Sequence, residues 1–333
     1  MKRCAICVLP EKFPGIKFDD QGKCNYCAAF KGPEKMEEEK KSYYEKFLKL
    51  IKGISNSGKY DCTLSYSGGK DSSYTLYVLK EIYNLRVLAL VMDNGFMSEK
   101  ALENADTVTS KLGIDCRVVK PDFNILKKIF SYAAENPMYS SKTLERASTI
   151  CTSCIGLVKS IFLKIAVEEN IPLMAWGWSP GQAPLRSSIM KINPSLFRSM
   201  QKALKDPMKD VAGDSIDQYF LDDSCFEDTE SFPYSVSPLA FMEYSEKKIY
   251  DKLEELGWMT PGDVDGNSTN CLLNSYANQV HIKKYGFHPY VFEIASMVRM
   301  GIMSREKGII KLEDTGDEKV IELVKNKLDE GKQ

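Results

Sequence analysis

The chain has 333 residues, of which 43% are hydrophobic and 27% are charged, as in an ordinary globular protein of one large domain with smaller accessory parts. Its net charge of −1 and its pI of about 6.3 exclude a global positive field that would hold a polyanion. No apolar run reaches the roughly 18 residues that span a bilayer, and the N-terminus lacks the apolar stretch of a signal peptide. We therefore expect a cytoplasmic protein without a membrane segment.

In chain order, the pattern predicts five segments. Residues 1–30 are rich in Cys, Pro, Gly and Asp, and are expected to form a small zinc-binding module. Residues 31–58 are expected to form a charged linker helix with one apolar face. Residues 59–185 predict the ATP-binding domain, residues 186–236 an irregular insertion or flap whose second half is acidic, and residues 237–333 a helical C-terminal region that completes the active site.

Residues 59–185 alternate short apolar strands with amphipathic helices, a pattern typical of a parallel sheet covered on both faces. The fold class predicted is therefore α/β, with a doubly wound, Rossmann-like parallel sheet. Strands are predicted at 61–66, 86–92, 116–119 and 172–176, and helices at 71–83, 98–112, 123–134 and 157–168. Further helices are predicted at 245–256, 269–284 and 319–328.

One polar segment between the first strand and the first helix of this domain predicts a phosphate-binding loop. Two glycines let the backbone approach an anion closely, and the N–H groups at the start of the next helix favour negative charge. Serine hydroxyls add donors, a lysine adds a positive charge, and an aspartate can hold Mg²⁺ against phosphate oxygens. The segment consists of Ser67, Gly68, Gly69, Lys70, Asp71, Ser72 and Ser73.

This segment is not a Walker A loop. It resembles the SGGxDS signature of the PP-loop ATP pyrophosphatases, the N-type group of the adenine nucleotide alpha-hydrolase superfamily. The resemblance implies cleavage of ATP between its α and β phosphates, which leaves AMP on a substrate oxygen until a nitrogen or sulfur nucleophile displaces it. It also implies that adenine lies against the end of the second strand, here at Met92, and that Gly177 closes the other side of the nucleotide.

Two cysteine pairs near the N-terminus predict a structural zinc site. Cys4, Cys7, Cys24 and Cys27 form the pattern C-x2-C-x16-C-x2-C, whose spacing suits a tetrahedral Cys4 zinc ion. Such an ion orders a module that is too small to bury a core of its own.

A third pair, Cys151-x2-Cys154, precedes a predicted helix, and Cys271 stands apart from it in the C-terminal region. Together with the phosphate loop, these three cysteines resemble the triad of tRNA thiolation enzymes that hold a [4Fe-4S] cluster with one iron left open for sulfide. The resemblance implies that Cys151, Cys154 and Cys271 take part in sulfur delivery. A second zinc site and free buried thiols remain alternative interpretations.

The remaining cysteines and the two histidines have no partner at catalytic or ligand spacing. Cys62 and Cys116 are expected to be core residues of strands, and Cys225 a spare thiol of the acidic segment. His281 and His288 lie within residues 267–305, a stretch of polar residues with aromatic neighbours that we expect to face the active site.

Over most of its length the chain is also similar to the N-acetyl sugar amidotransferases. The similarity is carried by the N-terminal cysteine pairs, the phosphate loop, Cys151-x2-Cys154, Trp176-Gly177, Cys271 and Met303-Ser-Arg-Glu306. It implies an alternative reaction, in which ammonia from a partner glutaminase converts an acetamido sugar to an acetamidino sugar.

Two reactions therefore stay open from the sequence. Both begin with ATP-dependent adenylation, and they end either in sulfur transfer or in nitrogen transfer. The expected ligands are ATP, Mg²⁺, Zn²⁺ and a [4Fe-4S] cluster, and the acceptor is a nucleoside, a tRNA or a nucleotide-linked sugar. A sulfide source or a glutaminase is the expected partner, and a homodimer is left open.

Overall fold

The computed structural model describes residues 2–54, 58–228, 230–264, 266–314 and 316–330. Within these residues, six strands form one sheet in the order β3-β2-β1-β4-β6-β5. All neighbouring strands are parallel except β5, which is antiparallel to β6. The strands are β1 (Cys62–Ser65), β2 (Val87–Met92), β3 (Asp115–Val119), β4 (Leu173–Trp176), β5 (Ile189–Lys191) and β6 (Tyr234–Val236).

Helices lie between and after the strands. They are α1 (Asn25–Ala28), α2 (Pro33–Gly53), α3 (Lys70–Tyr77), α4 (Glu99–Leu112), α5 (Phe123–Glu135), α6 (Thr149–Glu168), α7 (Pro194–Ala212), α8 (Glu246–Glu255), α9 (Leu273–Tyr285), α10 (Val291–Arg299), α11 (Arg305–Glu313) and α12 (Glu318–Asp329).

The central strands β2 and β4 are buried on both faces, which explains why they are apolar throughout instead of alternating with polar residues. Along β2, alternate side chains point to opposite faces. Leu88, Leu90 and Met92 belong to a core cluster with α5, α6 and α12. Val87, Ala89 and Val91 point to the other face and belong to a cluster with α2, α4 and α8. The predicted doubly wound α/β fold is confirmed.

The N-terminal module has little core of its own and packs on the C-terminal helices. Val8 and Phe13 are buried with Val291 and Ile294 of α10. The guanidinium of Arg305, at the start of α11, donates hydrogen bonds to the carbonyl oxygens of Cys7 at 3.1 Å and Cys4 at 3.2 Å. The module is therefore fixed to the C-terminal region rather than to the linker helix.

Several expectations about local structure were wrong. Residues 186–236 were expected to be irregular, yet they contain the 19-residue helix α7 and two strands that extend the sheet. Two of its acidic residues pair with cations of α7: Asp217 with Lys205 and Lys209, and Asp223 with Arg198. The sequence signal was masked because α7 carries charged residues and an internal Pro207.

Two further corrections concern element boundaries and burial. The first helix after the phosphate loop ends at Tyr77 and continues as a π-helical turn, Val78–Ile82. Cys116 was expected in the core but is exposed, because β3 is the edge strand of the sheet. Cys62, in the central strand β1, is buried as expected.

Helix α6 has the length and apolar composition of a membrane-spanning helix. In this fold, 56% of its most apolar stretch is buried within the protein. Its buried residues, among them Leu157, Phe162 and Leu163, pack in the core cluster beside the sheet. This packing is that of the core helix of a globular domain.

Candidate functional site

The phosphate loop lies where the order of the strands reverses. Strands β2 and β3 lie on one side of β1, and β4 lies on its other side. Ligands of open α/β sheets bind in the crevice that this reversal leaves at the carboxyl ends of the strands. The loop that follows β1 and the residue that follows β4, Gly177, both lie at this edge, since Ser65 is paired with Trp176.

The loop is held in one conformation by its surroundings. Gly68 has φ +68°, and a Cβ there would lie 2.0 Å from the carbonyl oxygen of Ala101, so this position requires glycine. The indole Nε1–H of Trp258 donates to the carbonyl oxygen of Gly68 at 2.8 Å. The Ser72 hydroxyl donates to the carbonyl oxygen of Gly69 at 3.0 Å and lies 3.1 Å from the hydroxyl of Ser67.

Gly177 lies directly against the start of α3. A Cβ on Gly177 would lie 2.4 Å from Cα and 2.8 Å from N of Ser72. The end of β4 therefore touches the first turn of α3, and a helix N-terminus favours an anion. Sequence resemblance placed Gly177 at the nucleotide, and the structure brings it to the loop itself.

The charged residues of the loop form a small network. The Lys70 ammonium donates to Asp71 Oδ1 at 2.8 Å and to the Tyr244 hydroxyl at 2.7 Å, and Tyr244 donates to Asp71 Oδ1 at 2.9 Å. Glu246 Oε1 lies 4.0 Å from the ammonium. Burial and the nearby Asp71 charge raise the pKa of Tyr244, so the hydroxyl stays a donor. Among the described residues, none bonds to Oδ2 of Asp71, which leaves that oxygen for a cation.

Ser73 and Met92, two other residues expected at the nucleotide, are deeply buried. The Ser73 hydroxyl lies 3.1 Å from that of Tyr66, so this side chain contacts the protein core and stabilises the loop from its buried side. Met92 ends β2 and is only 6% exposed, as part of the core cluster around α6. It offers a ligand little of its side chain.

The three separated cysteines come together beside the loop after β2. Asn94 Nδ2 lies 3.4 Å from Cys154 Sγ and 3.7 Å from Cys271 Sγ, and donates to both. Cys151 Sγ lies 4.0 Å from Asn274 Oδ1. Cys271 reaches this place because residue 271 forms an antiparallel bridge with Met97.

Cys151 and Cys154 were expected just before a helix, but they lie within the first turns of α6. Ser148 is the N-cap residue, and its hydroxyl accepts a hydrogen bond from the Cys151 N–H at 3.1 Å. The helix N-terminus favours negative charge at both thiols. Burial has the opposite effect and raises the pKa of Cys154.

The four N-terminal cysteines form a different kind of site. All four Sγ atoms are buried and lie within 4.8 Å of one another. The Cys4–Cys27 and Cys7–Cys24 sulfur pairs are each 3.8 Å apart, which is about the edge of a tetrahedron with zinc–sulfur bonds of about 2.3 Å. The donor set and the spacing fit a zinc ion.

Across the described part of the chain, these four cysteines are the group compact enough for a single ion. Cys151, Cys154 and Cys271 are therefore spread more widely than the ligands of one zinc ion. Their sulfurs still share one neighbourhood, because the charges of Cys271 and Cys151 both act on Cys154. Three thiols in one neighbourhood are a donor set that suits an iron–sulfur cluster.

One short segment joins the loop to the cysteine triad. The Thr269 hydroxyl accepts a hydrogen bond from the N–H of Lys70 at 3.0 Å. Cys271 follows two residues later, a distance of at most about 7 Å of extended chain. ATP bound at the loop and a group held by the triad would therefore be close neighbours.

A cavity of about 820 Å³ opens on the same side of the protein. Its walls include Cys151 and Lys159 of α6, Trp178 after β4, and Glu293 of α10. Burial raises the pKa of Glu293 to about 7, and its Oε1 accepts a hydrogen bond from the Ser179 hydroxyl at 2.6 Å. The Asp71 charge adds to this shift.

The remaining sequence candidates lie outside this arrangement. His281 and His288 are buried, and burial lowers the pKa of each to about 4, so both are neutral core residues near pH 7. Sequence reasoning missed Asn94, Tyr244 and Trp258. The sequence marks them only as polar or aromatic residues close to the ends of predicted elements.

No protein-family model matches the chain. An uncharacterized protein of Methanocaldococcus jannaschii is 27% identical over 313 residues, which cover 93% of each chain. Argininosuccinate synthase of Symbiobacterium thermophilum is 27% identical over 143 residues, 41% of this chain and 34% of that enzyme.

Solved structures that match include members of the PP-loop, or adenine nucleotide alpha-hydrolase, family. One is the U34-tRNA thiolase NcsA from Methanococcus maripaludis with its [4Fe-4S] cluster, at 17% identity, a TM-score of 0.38, and 90% and 86% coverage of this chain and that chain. Another is the NH3-dependent NAD synthetase of Campylobacter jejuni, at 12% identity, a TM-score of 0.35, and 90% and 94% coverage. TM-scores this low carry no functional argument, which has to come from the residues of the chain itself.

Proposed function

We propose that the chain is a PP-loop ATP pyrophosphatase that adenylates a carbonyl or amide oxygen of an acceptor and exchanges that oxygen for sulfur. The observation that carries this proposal is the contact between Thr269 and the N–H of Lys70, because the same segment holds Cys271. The activating loop and the cysteine triad are thereby parts of one site, which we place in the cytoplasm, where cysteines stay reduced.

In the first step, the acceptor oxygen attacks the α-phosphorus of ATP. The new oxygen–phosphorus bond forms as the bond to the β-phosphate oxygen breaks, and pyrophosphate leaves with that electron pair. The N–H groups at the start of α3 and the ammonium of Lys70 stabilise the negative charge of the departing group. Asp71 would hold Mg²⁺ on the phosphates through its unbonded Oδ2.

In the second step, a sulfur nucleophile attacks the adenylated carbon and AMP leaves with the former acceptor oxygen. Cys151, Cys154 and Cys271 would hold the [4Fe-4S] cluster. A cluster held by three cysteines keeps one iron without a protein ligand, which supplies a place for sulfur. Asn94 orients two of the three thiolates, and Thr269 fixes the distance between the triad and the nucleotide loop.

Transfer of nitrogen instead of sulfur remains the alternative, and both reactions share the first step. The metal held by the triad distinguishes them, because sulfur transfer would need an iron–sulfur cluster at Cys151, Cys154 and Cys271 and nitrogen transfer would not. The N-terminal cysteines would bind zinc in either case and would act through stability alone.

The adenylation step can be tested with ATP labelled at the α-phosphate, the purified protein, and either a cell extract or bulk tRNA as a source of acceptor. We expect AMP and pyrophosphate, and not ADP and phosphate, as products. Lys70→Ala and Asp71→Ala should abolish AMP formation, while Lys49→Ala, an exposed lysine of α2, should leave it unchanged. AMP formation at the wild-type rate in both loop variants would refute the assignment.

A further inference from the structure

The cavity beside Cys151 has an unusual charge distribution for an apolar recess. The ammonium of Lys159 lies 4.9 Å from the ring centre of Trp178. Within the described part of the chain, this ammonium donates no hydrogen bond and forms no ion pair. Burial alone lowers the pKa of Lys159. A cation in a partly dehydrated recess is costly unless an anion pairs with it.

A second cation lines the same cavity. Arg146 lies 4.6 Å above the ring centre of Phe292, and its Nη1 donates to the carbonyl oxygen of Gln182 at 3.2 Å. Burial lowers its pKa as well, against the opposing charges of Glu145 and Glu293. The guanidinium therefore lies against an aromatic face, with donors left over for a ligand.

We infer that this cavity binds the acceptor, and that the acceptor is a small molecule with an anionic group, a phosphate or a carboxylate, paired with Lys159 and Arg146. This inference rests on the proposed function, since it assigns a substrate class to the same site. The volume of about 820 Å³ suits a small ligand, for which pockets of roughly 300–1,000 Å³ are usual.

The position of Lys159 on α6 sets the length of the acceptor. One face of the helix lines the cavity at Cys151, Ile155 and Lys159, which are successive steps of four residues. Eight residues of α-helix advance about 12 Å. We place the modified atom at the Cys151 end and the anionic group at the Lys159 end, on the order of 10 Å apart along the helix.

The other walls of the cavity add one carboxyl group and apolar surface. The carboxyl of Glu293 interacts with the charges of both Asp71 and Arg146, and it accepts a hydrogen bond from the Ser179 hydroxyl. Trp178 and the apolar side chains of Met200 and Leu204 line the recess as well. An acceptor with an apolar or planar middle part and one charged end fits this distribution. An RNA chain would need cationic surface outside the cavity, and the net charge of −1 does not favour it.

The test measures binding of four probes to the full-length protein by calorimetry, with the phosphate loop first saturated with α,β-methylene-ATP. Uridine monophosphate and uridine form the phosphate arm, and glucuronate and glucose form the carboxylate arm. We expect at least one anionic probe to bind more tightly than its neutral partner. Lys159→Ala should lower the affinity for that probe by about 10- to 100-fold, the usual effect of losing a charged hydrogen bond. Lys159→Arg should restore most of the affinity.

Lys164→Ala is the matched control, because Lys164 lies on the same helix but donates to the carbonyl oxygen of Gln218 and does not line the cavity. This variant should bind all probes as the wild type does. A measurement without substitution uses reductive methylation, in which the bound anionic probe should protect Lys159 and not Lys164.

The outcomes separate this inference from the proposed function. Failure of the wild type to bind α,β-methylene-ATP would refute the ATP-dependent reaction. Binding of the ATP analogue together with equal affinity for charged and neutral probes, or with no effect of Lys159→Ala, would overturn the acceptor assignment alone. Tight binding of bulk tRNA that is unchanged in Lys159→Ala would also overturn it, in favour of an RNA acceptor held elsewhere.

Discussion

Substitution of Gly177 by alanine tests the contact between the end of β4 and the phosphate loop. The added Cβ would lie 2.4 Å from Cα, 2.7 Å from Cβ and 2.8 Å from N of Ser72. Carbon atoms pack at about 3.5–4.0 Å, so the start of α3 has to move by about 1 Å. Backbone atoms of a buried helix turn cannot rotate away as the tip of a long side chain does.

The expected cost has a stability part and a binding part. Overpacking of this kind costs about 1–3 kcal/mol of the free energy of unfolding. A displacement of about 1 Å at a group that positions a substrate costs about 100-fold in rate. The Gly177→Ala protein should therefore still fold, bind α,β-methylene-ATP about tenfold or more weakly, and form AMP about 100-fold more slowly.

Urea unfolding, calorimetry with the ATP analogue and AMP formation together measure these effects. Gly53→Ala is the control, because a Cβ on this last residue of α2 meets nothing within 4 Å. If Gly177→Ala has the stability and the ATP-analogue affinity of the wild type, a methyl group fits between residue 177 and Ser72. This result would refute the role given to Gly177.

Three further predictions concern the cysteines and the buried carboxyl. Asn94→Asp keeps the side-chain oxygen but removes the donor to Cys154 and Cys271, so the retained iron should bind about 10- to 100-fold more weakly; unchanged iron retention against a chelator would contradict this role. Cys4→Ser should lower the melting temperature and remove zinc while the iron content stays, whereas equal loss of both metals would show that the two cysteine groups are not independent. The pKa of Glu293 is about 7 in the native state and near 4.5 when unfolded, so the native state holds an extra proton between these values. Its contribution to stability is full below pH 4.5 and is lost as the pH rises to 7, by up to about 3 kcal/mol; urea titrations at several pH values should show a shallower fall for Glu293→Gln, and equal slopes would exclude the shift.

The strands and the phosphate loop were predictable because their signals are local. Apolar runs bounded by turn residues gave β1, β2 and β4 to within about two residues. The loop was recognisable because glycines, a lysine and an aspartate stand between a strand and a helix. The pairs of cysteines were visible because C-x2-C spacing is itself a ligand geometry.

The supporting contacts were not predictable because they join residues far apart in sequence. Trp258 bonds to the carbonyl oxygen of a residue 190 positions earlier, and Thr269 to a residue 199 positions earlier. Neither residue type carries a spacing signal. The exposure of Cys116 depends on which strand forms the edge of the sheet, and alternation of apolar residues does not reveal strand order. The division of the chain into five segments stays a prediction.

The central claim is that one site joins an ATP-activating loop to a cysteine triad that holds iron. The most direct measurement is the iron, acid-labile sulfide and zinc content of anaerobically purified protein, for the wild type, Cys271→Ser and the control Cys225→Ser. We predict about four irons and one zinc per chain for the wild type and the control, and loss of iron but not of zinc in Cys271→Ser. Zinc alone in the wild type under strict anaerobic conditions would contradict sulfur transfer and favour nitrogen transfer to the adenylated acceptor.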